Sequence, residues 1–315
     1  MLQPVSARNR ARVFSPKWRR VFMRRLPLHI MLLPCVILVL IFSYGPMVGI
    51  IVAFQKYNPR LGMFASPLVG LKNFTDLLEL PDTMQVLFNT VYIAFMKIIG
   101  GLIVPIFYAL LLNEVRITPV KRTVQTIIYM PNFLSWIILS GILIDILSPS
   151  SGIVNQIIQA FGGTPVFFLG NEKVFPYVLV VTDVWKSFGF GTIIYLAAIT
   201  SIDPTLYEAA IVDGAGRLRQ TWHITLPGMV SIIVLMATLS LGNVLNAGFE
   251  QVLMLYGPIV YRTGDILDTF VYRLGLEDGR YGVASAVGLF KSAVSFLFIS
   301  CSYLFAYRFA NYRVF

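Results

Sequence analysis

Ser201-Ile-Asp-Pro-Thr-Leu-Tyr-Glu-Ala-Ala-Ile-Val-Asp-Gly-Ala-Gly-Arg-Leu-Arg-Gln-Thr-Trp-His-Ile-Thr-Leu-Pro-Gly228 is a polar, turn-rich segment set between two apolar runs, 174–200 and 228–255. Asp203 followed by Pro204 is a helix start: an acceptor at the N-cap, then a ring that presets the first helical turn. Leu206 through Val212 can continue the helix, and Gly214 and Gly216 can end it. Each flanking run has about 25 residues or more, enough at about 1.5 Å per residue to cross about 30 Å of hydrocarbon. The segment therefore reads as a short helix between two membrane crossings.

Further apolar runs of that length lie at 30–54, 86–112, 123–147 and 282–307. The 315 residues are 57% hydrophobic and 13% charged, with mean hydropathy +0.76. Ordinary soluble domains carry about 25% charged residues, so these charges are too few to coat a soluble globule. Disorder is excluded by the same composition. The fold class is an all-α polytopic membrane protein with six transmembrane helices, organised as a basic N-terminal segment, 1–29, and a transmembrane domain, 30–315. The first run is too long for the apolar core of a cleaved signal peptide. There is no internal repeat or soluble domain. Cys35 and Cys301, far apart in apolar runs, suggest neither a disulfide framework nor a metal site.

The net charge of +10 follows from topology. Arg8, Arg10, Arg12, Lys17, Arg19, Arg20, Arg24 and Arg25 precede the first run with no acid among them. The positive-inside rule places that N-terminus in the cytoplasm, where it can also touch anionic headgroups of the bilayer. Six crossings then put 113–122, 201–227 and 308–315 on the same side. These pieces add Arg116, Lys121, Arg122, Arg217, Arg219, Arg308 and Arg313 against Glu114, Asp203, Glu208 and Asp213. The basic balance calls for no nucleic acid.

On physical grounds the 203–216 helix is either a plain connection or a helix that docks in a partner's groove. Glu208-Ala-Ala-x-x-Asp-Gly214, with Ile224-x-Leu-Pro227 downstream, resembles the EAA loop of permease subunits of bacterial ABC importers. Leu206-Tyr-Glu-Ala-Ala-x-x-Asp-Gly-Ala215 is similar to the carbohydrate-uptake branch, which includes the maltose permeases. Residues 26–58, from Leu26-Pro-Leu-His through Ser43-Tyr-Gly-Pro46 to Phe54-Gln-Lys-Tyr-Asn58, resemble the subgroup for complex oligosaccharides that includes the alginate-importer permease. Trp222-His-Ile departs from the family's usual aromatic-x-x-Ile spacing.

The resemblance implies a bacterial inner-membrane subunit that imports oligosaccharides, alginate fragments or neutral sugars, by alternating access. It implies that Tyr207, Glu208, Ala209, Ala210, Asp213, Gly214 and Ala215 form a coupling helix between spans four and five, seated on an ATPase. Its implied partners are a second homologous permease, two ATP-binding subunits and an extracytoplasmic solute-binding protein. This chain has no phosphate-binding Gly-x-x-x-x-Gly-Lys-Ser/Thr, no His-Glu-x-x-His and no Gly-x-Ser-x-Gly. It is expected to hold no catalytic residue, metal or cofactor, with ATP and Mg²⁺ bound by the partner ATPase.

Six ionisable residues fall within the runs: Lys97, Asp145, Asp183, Lys186, Glu250 and Lys291. Such residues usually face a bundle interior or water. Asn243, Asn246 and Glu250 at i, i+3 and i+7 would occupy about 60° of one helical face. Asn pairs a donor with an acceptor, as sugar hydroxyls require, so this stripe is a candidate substrate path; interhelical hydrogen bonding is the alternative. Asp183 and Lys186, three apart, are expected to pair. Lys97 and Lys291 are expected either to attract an acidic cargo or to pair with Asp145 or Glu250. Two rival functions stand beside the importer: an ion-coupled secondary transporter, which usually shows inverted repeats, and a membrane enzyme on lipid-linked sugars.

Overall fold

The computed structural model describes residues 16–310; Arg8, Arg10, Arg12 and the residues after 310 lie outside them. The chain divides into two compact units, Met1–Ile51 and Val52–Phe315. In the first, helix α1 (Pro16–Val39) contains Pro27 and Pro34. It passes through a π-helical turn, Leu40–Tyr44, into a 3₁₀ stretch beginning at Gly45. Its apolar side chains, Met31 and Phe42 among them, are exposed, as suits a helix whose solvent is hydrocarbon.

The second unit is built on α2 (Thr83–Glu114), α3 (Thr118–Tyr129), α4 (Trp136–Ile146), α5 (Phe175–Thr200), α6 (Pro204–Val212), α7 (Leu226–Gly242), α8 (Phe249–Leu255), α9 (Leu267–Tyr272) and α10 (Tyr281–Ala310). Residue pairing gives the direction of each. Tyr92 Oη lies 3.1 Å from Tyr177 Oη, and Thr192 Oγ1 donates to the Pro105 carbonyl at 3.4 Å. Ala109 packs with Tyr195 and Ala198. Numbers rise together, so α2 and α5 run parallel, and the chain between them returns once through α3 and α4. Against α5, α7 and α8 run the opposite way: Met229 meets Ala198 and Ile199, whereas Gln251 meets Leu179 and Thr182. Ser302 Oγ donates to the Thr238 carbonyl at 3.4 Å and the Ile299 side chain lies against Gly242, so α10 runs antiparallel to α7.

In lipid the hydrophobic effect does not drive helices together, so close approach at small residues does much of the work. Gly189 of α5 is the tightest case. A β-carbon there would stand 1.9 Å from the Ile128 carbonyl oxygen of α3. On the other side, Gly100 of α2 accepts the Val184 side chain, whose methyl would lie 2.6 Å from an added β-carbon.

Two apolar runs are not the straight helices their composition suggests. Run 123–147 is bent by 103° between the stretches Thr118–Phe133 and Trp136–Ile146, with Leu134 and Ser135 extended at the corner. Among the described residues five helices are therefore long and apolar enough to cross a membrane, or six with this bent pair as one span. Run 228–255 is interrupted between α7 and α8, where Gly248 adopts φ +95°. Unwound backbone at membrane depth must be paired within the protein or face a polar cavity. Both conditions are met there.

Candidate functional site

The unwound link 243–248 is held from outside its own helix. Lys97, 8% exposed on α2, donates to the Ala247 carbonyl at 2.7 Å and to Gln251 Oε1. Asp183 Oδ1 is 3.5 Å from the same ammonium. Gln251, fully buried on α8, donates its amide to the Leu179 carbonyl at 2.9 Å and Thr182 Oγ1 at 2.8 Å. Three segments are thus tied at one buried cation, by two hydrogen bonds and an ion pair. Lys97, Gly101, Asp183, Ser240, Asn243, Asn246 and Gly248 line a polar cavity of about 260 Å³.

A second cavity of about 630 Å³ adjoins it through Asn246 and is lined mainly by apolar groups, including Phe249, Tyr272 and Tyr281. Lys291 of α10 bonds two of its lining residues, Asp268 Oδ1 at 2.5 Å and Asn246 Oδ1 at 3.0 Å.

These contacts correct three expectations. Asp183 pairs with Lys97, not with Lys186; Lys186 instead donates to the Asn132 carbonyl at 3.1 Å and stands 5.5 Å from the Trp136 ring centre. Neither Lys97 nor Lys291 pairs with Asp145 or Glu250. Asn243, Asn246 and Glu250 do not share one helical face, because the helix ends at Gly242 and restarts at Phe249. The two asparagines still line the same cavity; Glu250 is exposed on the first turn of α8 and lines neither cavity. Gln251 and Thr182 escaped the sequence reading, which followed charges and asparagines. The signal was there: a lone amide in an apolar run needs partners as much as a charge does.

At the other end of the bundle, the 201–228 segment folds as its residues direct. The Asp203 carboxylate accepts from the Thr205 N–H at 2.9 Å, and that bond holds its pKa below the ordinary value. The helix stops in a Schellman motif: Ala215 N–H donates to the Ala210 carbonyl at 2.8 Å and Gly214 N–H to the Ile211 carbonyl at 3.0 Å. Gly214 takes φ +74°, left-handed backbone that glycine adopts without penalty. Tyr207 Oη is 3.0 Å from Thr225 Oγ1, which fastens α6 to the start of the next crossing. Arg217 bonds Glu114 at the end of α2 at 2.8 Å. Glu208, Ala209, Asp213 and Gly214 are exposed, Ala210 and Ala215 half-buried. Leu206, Ile211 and Val212 also present uncovered apolar surface. Among the described residues no three His, Cys, Asp or Glu side chains gather as a metal ion requires.

Residues 106–311 match the family described as binding-protein-dependent transport system inner membrane component. The chain belongs to that family. This permease is 44% identical, over 90% of its own length and 88% of the relative's, to the polygalacturonan/rhamnogalacturonan transport system permease protein YteP of Bacillus subtilis (strain 168). It is 40% identical over 90% of its length to Protein LplB of the same organism, covering 89% of that protein. Its fold matches a chain in the crystal structure of a bacterial ABC transporter involved in the import of the acidic polysaccharide alginate. The TM-score is 0.86 and the identity 36%, covering 93% of this chain and 99% of that one. A second such structure, a bacterial alginate ABC transporter in complex with alginate pentasaccharide-bound periplasmic protein, gives TM-score 0.84 and 37% identity, covering 92% and 96%. The permease is thus a multi-pass inner-membrane subunit of an ABC importer served by a binding protein. Its role is transport rather than catalysis, and the family favours this over an ion-coupled carrier.

Proposed function

We propose that this permease passes acidic, uronic oligosaccharides into the cell, with substrate moving along the polar cavity at the unwound link. The observation that carries the reading is the similarity, over nine-tenths of the chain, to a permease named for polygalacturonan and rhamnogalacturonan. The alginate importers of like fold support the same substrate class. Asn243, Asn246 and Ser240 offer amide and hydroxyl groups at membrane depth, the chemistry that a sugar hydroxyl pairs with.

In this reading the end of the bundle bearing α6 is cytoplasmic, because Arg116, Lys121, Arg122, Arg217 and Arg219 cluster in its loops. The N-terminus lies on that side too. Helix α6 is the coupling helix: its exposed Glu208 and uncovered Leu206, Ile211 and Val212 seat in a groove of an ATPase subunit that holds ATP and Mg²⁺. Two such ATPases and a second, homologous permease complete the importer. Closure of the ATPase pair pulls α6, and the Tyr207–Thr225 and Arg217–Glu114 contacts pass that displacement to α7 and α2.

ATP hydrolysis by the reconstituted importer with its binding protein tests the reading across uronic and neutral oligosaccharides. Stimulation by uronic oligomers is expected. Stimulation by neutral oligomers alone would transfer the substrate assignment to them, and failure to co-purify an ATPase would remove the coupling role of α6.

A further inference from the structure

Three lysines stand at membrane depth, and their surroundings differ. Lys97 is held by Ala247, Gln251 and the Asp183 carboxylate, and Lys291 by the Asp268 carboxylate and Asn246. Lys186 alone of the three has no carboxylate within ion-pair distance among the described residues. Its ammonium donates to one backbone carbonyl, that of Asn132, and among the described residues it has no second acceptor. A lysine within a membrane span is costly unless it is paired or given a polar duty.

The setting of Lys186 is specific. It lies on α5 three residues after Asp183, which lines the polar cavity, so the two are about 60° apart on the helix and about one turn along it. Asn132 lies just before the corner of the bent α3–α4 pair, and Trp136 is the first residue of α4 after it. Lys186 and Trp136 are both half-buried, and the ammonium is 5.5 Å from the indole centre. The Trp136 body packs on the cluster that contains Ala247 of the unwound link. A cation beside an aromatic face, one helical turn from a residue that lines the cavity, offers the two chemistries that a uronate residue presents. The carboxylate would meet the ammonium and the pyranose face the indole.

We infer that Lys186 and Trp136 form a carboxylate-reading subsite of the transport path, with Lys186 the specificity-determining cation. The inference rests on the uronic-substrate reading above. Lys97, the more buried lysine, serves the helix break and not the cargo.

The test is uptake by the complete importer in proteoliposomes of a uronic oligosaccharide and, separately, of its methyl ester, which lacks the charge. The variants are Lys186→Gln, Lys186→Arg and Trp136→Phe. Loss of one charge-assisted contact should lower the ratio of acid to ester uptake about tenfold in Lys186→Gln. Lys186→Arg should keep most of the ratio, and Trp136→Phe should slow both substrates together. An unchanged ratio in Lys186→Gln overturns the inference. So does an equal fall in both substrates accompanied by loss of the partner permease from the purified complex, which would assign the lysine to a carboxylate of that partner. If the unaltered importer carries the ester but not the acid, the uronic reading itself fails and this assignment with it.

Discussion

Replacing Lys97 by methionine keeps an unbranched apolar stem of similar length and removes the ammonium. Two buried acceptors then lose their donor: the Ala247 carbonyl, bonded at 2.7 Å, and Gln251 Oε1 in a fully buried side chain. Each orphaned acceptor costs about 1–3 kcal/mol, partly offset because a buried ammonium no longer has to be desolvated. A net loss of about 3 kcal/mol is expected. Asp183→Asn removes the other charge of the pair, but that contact is 3.5 Å long and Asp183 is 30% exposed. Its cost should stay near or below about 1 kcal/mol, because water screens the lone partner. The assay is reversible or scan-rate-checked unfolding of the purified importer in one detergent, with Lys97→Met, Asp183→Asn and the double variant side by side. The clamp predicts a large loss for Lys97→Met, a small one for Asp183→Asn, and no recovery in the double variant. Equal losses in the two single variants, with recovery in the double, would show that the ion pair governs this site and refute the clamp.

Three further outcomes follow from local geometry. Gly248→Ala should destabilise by about 1–2 kcal/mol, since it imposes a β-carbon at φ +95° and 2.8 Å from the Lys97 ammonium; the same unfolding series measures it. Gly214→Ala meets open space but left-handed backbone, so stability should fall by only about 1 kcal/mol while ATP hydrolysis per molecule imported rises; tight coupling in that variant would count against α6 as the coupling helix. Arg217→Ala breaks an ion pair that is 56% and 46% exposed on its two sides, so thermal stability should change by less than about 1 kcal/mol, and a defect in coupling should be rescued by an Arg217→Glu, Glu114→Arg exchange.

The loop at 201–228 was legible almost residue by residue. Asp203, Pro204, Gly214 and Ala215 act on neighbours within six positions, so the N-cap and the Schellman stop need no information from elsewhere in the chain. The polar residues inside the membrane were legible as a set and misread as pairs. Helical spacing joined Asp183 to Lys186 and aligned Asn243, Asn246 and Glu250, and both inferences assumed continuous helices with local partners. The structure joins Asp183 to Lys97, 86 positions away, and breaks the helix that would have aligned the stripe.

Length, apolar run and cap chemistry are properties of contiguous residues, and by themselves they determined an all-helical membrane protein with a short helix between two late crossings. Where a span bends or unwinds is decided by competition between the backbone's own hydrogen bonds and those offered by other helices. Lys97 can replace a helical donor at Ala247 only because α2, α5 and α8 converge there, and Gly189 can admit the Ile128 carbonyl only because α3 crosses α5 at that level. Those convergences exist once the bundle has packed, and so the polar cavity and the setting of Lys186 beside Asn132 and Trp136 are products of tertiary structure.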